Sequence, residues 1–122
     1  MRWALALALS GCTGYRDCPP EAPAAVEVVT REWPEVATLL EDTDIICSAT
    51  DPRPDVPCVY DWYGTSAAFR GRMTVRADLA GPCIVHEAWH GVLHQTTDDD
   101  CITHDAACGW DHAEIERVTD AL

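Results

Sequence analysis

Residues 86–95 read HEAWHGVLHQ. His86 and His90 are four apart, so on a helix both imidazoles leave one face, about 6 Å apart along the axis. Two imidazoles placed this way can share one tetrahedral zinc ion. Glu87 is turned about 100° from His86 around such a helix. It cannot ligate comfortably beside both rings, but it can reach a water at the metal, where a general base belongs. Residue types and spacing together describe one chemistry: hydrolysis with zinc as cofactor, one ion per chain, and Glu87 as general base.

A catalytic zinc site keeps three protein ligands and an open position. His94 continues the same helix face, but it lies about 12 Å beyond His86 along the axis, and a straight helix cannot bring all three to one ion. All five histidines fall within residues 86–112, so the third ligand is sought downstream. His104 is the expected one. Cys101 and Cys108 bracket it, and a disulfide there would offset the entropy of holding a ligand on a loop. Glu114 and His112 are alternatives, with Glu116 on the same final segment. Asp105 is placed to orient an imidazole. Tyr60 and Tyr63 offer hydroxyls that either stabilise an oxyanion or simply pack. Asp98, Asp99 and Asp100 lack the spacing of a calcium loop and read as a solvated turn.

Several elements must hold these groups in place. From Cys83 to about Gln95 the pattern predicts a helix that buries Ile84, Val85, Ala88, Trp89, Val92 and Leu93. Residues 68–77 alternate, with Phe69, Gly71, Met73 and Val75 on one side and Arg70, Arg72, Thr74 and Arg76 on the other, which predicts a half-exposed strand. That arginine side would either favour acidic substrates or balance nearby acids. DIIC and CVYDWY read as short strands around a proline-rich loop, SATDPRPDVP. From Ala24 to Leu40 apolar residues recur every three or four positions, predicting an amphipathic helix that Pro34 kinks or splits. Asp111 is placed to cap a final helix, with Glu114 as its capping-box partner. The expected fold class is α+β: a small sheet, an active-site helix and a C-terminal helix, stapled by disulfides.

With these elements in order, residues 68–110 resemble the zincin metallopeptidases: strand, loop, a helix bearing HEAWH, then a downstream ligand. The resemblance implies a minimal zincin-like domain and a peptide or protein substrate. It implies His86 and His90 as zinc ligands, Glu87 as base and acid, and the strand at 68–77 as the one that pairs with substrate. Metzincins would carry glycine at Leu93 and histidine at Thr96, so that branch does not fit. Thermolysin-like members take a glutamate from a downstream helix, which keeps Glu114 and Glu116 open. The span from His104 to Trp110 is similar to the downstream half of short bacterial zinc-dependent lipoproteins. A closed zinc site for structure or storage, or a disulfide-stapled envelope module without metal, is the competing reading.

The chain has 122 residues, a formal net charge of −13 and no lysine. So acidic a surface excludes nucleic acid as a partner, and it excludes anionic lipid through charge alone. The start, MRWALALALSGC, has a charged residue, a short apolar run and small residues, as in a secretory signal. Its LSGC ending resembles a bacterial lipobox with Cys12 as the lipidated residue. Residues 1–11 are then a signal peptide, 12–24 a Pro-rich tether, and 25–122 one domain, lipid-anchored in the bacterial cell envelope. Setting Cys12 aside leaves six of the seven cysteines, Cys18, Cys47, Cys58, Cys83, Cys101 and Cys108, an even set suited to an oxidising compartment. Proximity in sequence predicts Cys47 with Cys58 and Cys101 with Cys108. The oligomeric state is not legible.

Overall fold

A computed structural model describes residues 14–63, 70–96 and 104–122. Within these residues the fold is α+β, with a four-stranded mixed sheet in the order β1-β2-β4-β3. The strands are β1 (Tyr15–Arg16), β2 (Thr43–Ser48), β3 (Cys58–Tyr63) and β4 (Arg70–Arg76). The helices are α1 (Glu21–Glu32), α2 (Ala37–Glu41), α3 (Ala80–Thr96) and α4 (His112–Thr119).

β4 follows the alternation expected of it. Gly71, Met73 and Val75 are buried, while Arg70 and Arg72 are exposed. It lies between β2, to which it is parallel, and β3, to which it is antiparallel. The parallel step from β1 to β2 needs a crossover, and α1, a 3₁₀ turn at Pro34–Val36 and α2 supply it. A 3₁₀ turn at Ala77–Leu79 then leads straight from β4 into α3. Ile84, Val85, Ala88 and Val92 of α3 pack with Ala22, Ala25 and Val29 of α1 and with Met73 and Val75 of the sheet.

The amphipathic segment does divide at its proline. α1 ends at Trp33 (φ −128°, ψ 74°), and Pro34 opens the 3₁₀ turn. Proline has no N–H to continue the helical ladder. The turn seats Val36 against α3 where Gly91 leaves room: a Cβ on Gly91 would stand 2.8 Å from Val36 Cγ2. Asp111 caps α4 by accepting from the Glu114 backbone N–H at 3.0 Å. The Glu114 side chain does not complete a capping box. It accepts from Trp33 Nε1 at 2.8 Å and from Arg117 at 2.8 and 2.9 Å, and Arg117 also reaches Glu32 of α1 at 2.9 Å.

Two expectations change here. The stretch 12–24 is not a tether where it is described, from residue 14. Tyr15–Arg16 forms β1, Cys18 is bonded to Cys47, and α1 begins at Glu21. Strand pairing and the covalent link hold this proline-rich stretch on the domain. Cys47 does not pair with Cys58. Both residues sit opposite Val75, one on each side of β4, so two strand spacings separate them, roughly 9.5 Å. That exceeds the reach of a disulfide, about 7 Å between α-carbons. The bonds are Cys18–Cys47 and Cys58–Cys83, with α-carbons 4.9 and 5.5 Å apart. Cys108 is also disulfide-bonded, but Cys101, and with it the expected Cys101–Cys108 pair, lies outside the described residues. So do Cys12, Phe69 and Asp98–Asp100. Of the two roles left open for the β4 arginines, balancing acids is the one seen at Arg76. Arg76 pairs with Asp51 at 2.9 Å and Asp78 at 2.7 Å, and Arg72 lies in register between Asp44 and Asp61. Among the described residues, no helix is long and apolar enough to cross a membrane.

The Cys58–Cys83 bond closes a loop across β3, β4 and the start of α3. A non-reduced digest analysed by mass spectrometry is expected to join the peptides carrying Cys58 and Cys83. Replacing both by alanine is expected to lower unfolding stability by about 2–4 kcal/mol in denaturant titration.

Candidate metal centre

The helical face predicted from spacing is present. His86 and His90 leave α3 with ring centroids 5.4 Å apart. His104 comes from the segment before α4 and brings its ring to 4.9 Å from His86 and 5.1 Å from His90. One nitrogen from each ring falls within 4.8 Å of the others, so the three are able to hold a metal ion. The Nε2 atoms of His90 and His104 are 3.2 Å apart. Two nitrogens bound tetrahedrally at zinc–nitrogen lengths of 2.0–2.1 Å would stand about 3.3 Å apart, so this pair already has the required spacing.

The alternative ligands lie elsewhere. Glu114 is committed to Trp33 and Arg117. His112 touches Trp110 at a centroid distance of 6.3 Å and is not among the converging residues. Glu116 is exposed on α4. His94 rests on Trp62 at 4.9 Å, one turn beyond the group, as helix geometry requires. Asp105 contributes through its backbone: its carbonyl accepts from the N–H of Cys108 at 2.9 Å and of Trp110 at 3.1 Å. The segment turns back at Gly109, whose φ of 91° is left-handed and favours glycine.

Sequence reasoning did not foresee the part played by Trp110. Its ring, 4% exposed, lies against all three imidazoles at 4.9, 4.6 and 4.3 Å from His86, His90 and His104. It forms an apolar wall that fixes the rings and excludes water from one side. A tryptophan next to a glycine and six residues beyond His104 was the available signal, but only folding shows which rings it meets. Trp89, expected in the core, is half-buried and stacks on Trp33 at 5.0 Å.

Glu87 is 6% exposed, and its Oε2 lies 3.7 Å from His86 Nε2. Burial first, and the Asp61 carboxylate second, push its carboxyl up to about 7. A cation bound alongside would pull it down again. Burial is also the main reason that the His86 imidazole is lowered, with His104 and His112 adding to it. His90 falls to about 4, from burial and then from His86 and His104. Both rings are therefore neutral near pH 7, the state that donates a lone pair to a metal.

Beside these groups runs a cleft of about 690 Å³, lined by Arg53, Tyr60, Trp62, His86, Glu87 and His104 among others. One wall is β3. The strand expected to meet substrate was the one at 68–77, but β4 is paired on both sides and has no open edge. β3 is the edge strand, antiparallel to β4, and among the described residues no strand pairs with its outer side. Tyr60 is not poised as an oxyanion donor. Thr43 Oγ1 donates its single proton to the Leu39 carbonyl at 2.6 Å, so the Tyr60 hydroxyl, 2.7 Å away, donates to Thr43. Burial above all pushes Tyr60 up to about 12. The Tyr63 side chain lies outside the described set.

Comparison with known proteins found no matching family model, no matching curated protein and no matching solved structure.

The shift at His90 has a thermodynamic consequence. Its pKa in the folded chain lies below that of the unfolded chain, so between about pH 6.5 and 4 the unfolded state binds the extra proton. Stability of the chelator-treated protein is expected to fall as pH drops through that window. In NMR titrations the His90 ring should protonate near pH 4, well below an ordinary histidine.

Proposed function

We propose that this chain binds one zinc ion through His86, His90 and His104 and hydrolyses peptide bonds, with Glu87 as the proton carrier. The observation that carries this reading is the convergence of three imidazoles, two from one helix turn and one from the segment before α4, beside a buried carboxyl and an open cleft. Zinc held there would supply Lewis acidity toward a carbonyl oxygen and toward water. Glu87 Oε would take a proton from the attacking water and return it to the leaving amine nitrogen. With a cation alongside, the Glu87 carboxyl would be drawn toward its ionised form, which can accept a proton. The free edge of β3 would hold an extended peptide by backbone hydrogen bonds. This arrangement supports the likeness to zincins drawn from HEAWH.

The three-ligand set also bears on the storage reading. A closed structural site uses four protein ligands, and no fourth His, Cys, Asp or Glu joins the group among the described residues. Disulfides such as Cys18–Cys47 and Cys58–Cys83 favour an oxidising compartment. That agrees with export and with lipid anchoring at Cys12, which we include in the proposal.

Metal analysis and peptidase assays on Glu87→Gln and on histidine variants test it. Glu87→Gln is expected to keep about one zinc per chain and lose activity by about a hundred- to ten-thousandfold. His86→Ala and His104→Ala are expected to lose the metal. Full activity in Glu87→Gln, or wild-type protein without zinc, would sink the proposal.

A further inference from the structure

His86 and His90 owe their spacing to the helix, whereas His104 must be brought to them by something else. The contact that does so lies one residue before His90. Trp89 Nε1–H donates to the Gly109 carbonyl at 3.3 Å. On the same side, Gly109 sits so close to α3 that a Cβ there would come 2.8 Å from Leu93 Cδ2. The turn is closed on itself by the Asp105 carbonyl, which accepts from Cys108 and Trp110, so anchoring Gly109 places the turn as a unit. Trp110, next in sequence, carries the wall against which the three imidazoles lie. The indole of Trp89 is itself held from behind by Trp33 at 5.0 Å, and Trp33 is tied to Glu114 of α4 at 2.8 Å.

We propose that Trp89 is a positioning residue for the third metal ligand: its hydrogen bond to Gly109 latches the 104–110 turn to α3, so that His104 meets His86 and His90. The inference rests on the three-histidine reading of the metal centre. Trp89 is not itself one of the converging ligands. Its effect is pre-organisation. With the latch in place the loop ligand is already ordered, and metal binding does not have to supply that ordering.

Zinc and cobalt(II) titrations of the oxidised chain test the latch. Trp89→Phe keeps a ring against Trp33 but removes the N–H donor together with part of the indole's area. It is expected to weaken metal binding about tenfold, in the range found for groups that orient ligands without touching the metal. Its near-UV circular dichroism and melting temperature are expected to stay close to wild type, which separates loss of the latch from loss of the fold. In the unaltered protein, the Trp89 indole N–H is expected to exchange slowly with solvent in heteronuclear NMR, a readout independent of how the variants fold. The latch is overturned if a folded Trp89→Phe binds like wild type or if the indole is unprotected. Wild-type protein that binds neither ion overturns the metal reading and the latch with it.

Discussion

The seating of α3 between the sheet and α1 is the constraint from which the rest follows. Its apolar side is buried against Val29, Met73 and Val75, and the Cys58–Cys83 bond ties its first turn to the edge strand. A helix held this firmly can present a different chemistry on its remaining side. His86, Glu87 and His90 point toward the cleft because Ile84, Val85, Ala88 and Val92 are committed to the core. Rotating the helix to expose one apolar residue would pull the histidines out of register together. Burial of the apolar stripe, at about 25 cal/mol per Å², is therefore also what orients the site.

The electrostatics divide by location. The surface is strongly acidic, and two of its arginines each bridge two carboxylates, Arg76 with Asp51 and Asp78, and Arg117 with Glu32 and Glu114. These exposed pairs add little stability individually, but Arg117 and Trp33 link α1 to α4 and so brace the helical layer. Inside the cleft the order reverses. Burial outweighs neighbouring charges at Glu87, His86 and His90, and it moves each toward its neutral form. Neutral His86 and His90 imidazoles beside a buried carboxyl form a group able to hold a cation.

Two aromatic residues extend the site beyond its ligands. Trp110 gives three rings from two parts of the chain a common wall, and Trp89 ties the second part to the first. Gly109 makes both possible through a left-handed backbone that also allows close approach to Leu93. A ligand on a short turn thus gains much of the rigidity that a helix gives its own residues.

What the sequence determined by itself is what repeats locally. The three- and four-residue spacing of α3 placed His86 and His90 on one face, and the two-residue alternation of β4 separated its arginines from its core side. Pro34 announced the break in the first helix, and Asp111 announced the cap of α4. The bracketed position of His104 singled it out ahead of Glu114 and His112 as the ring to join His86 and His90, and those three rings do converge. What only the tertiary structure decided is what depends on strand order and on contacts across the chain. β4 enters between β2 and β3, which moves Cys47 and Cys58 apart and leaves the open edge to β3. Glu114 is drawn away by Trp33 and Arg117 from the other side of the domain. Tyr60 spends its proton on Thr43, a residue seventeen positions earlier. The physical reason is common to all of these: local spacing fixes which face a side chain leaves, whereas its partner is set by which elements pack together, and that follows from burying the whole core at once.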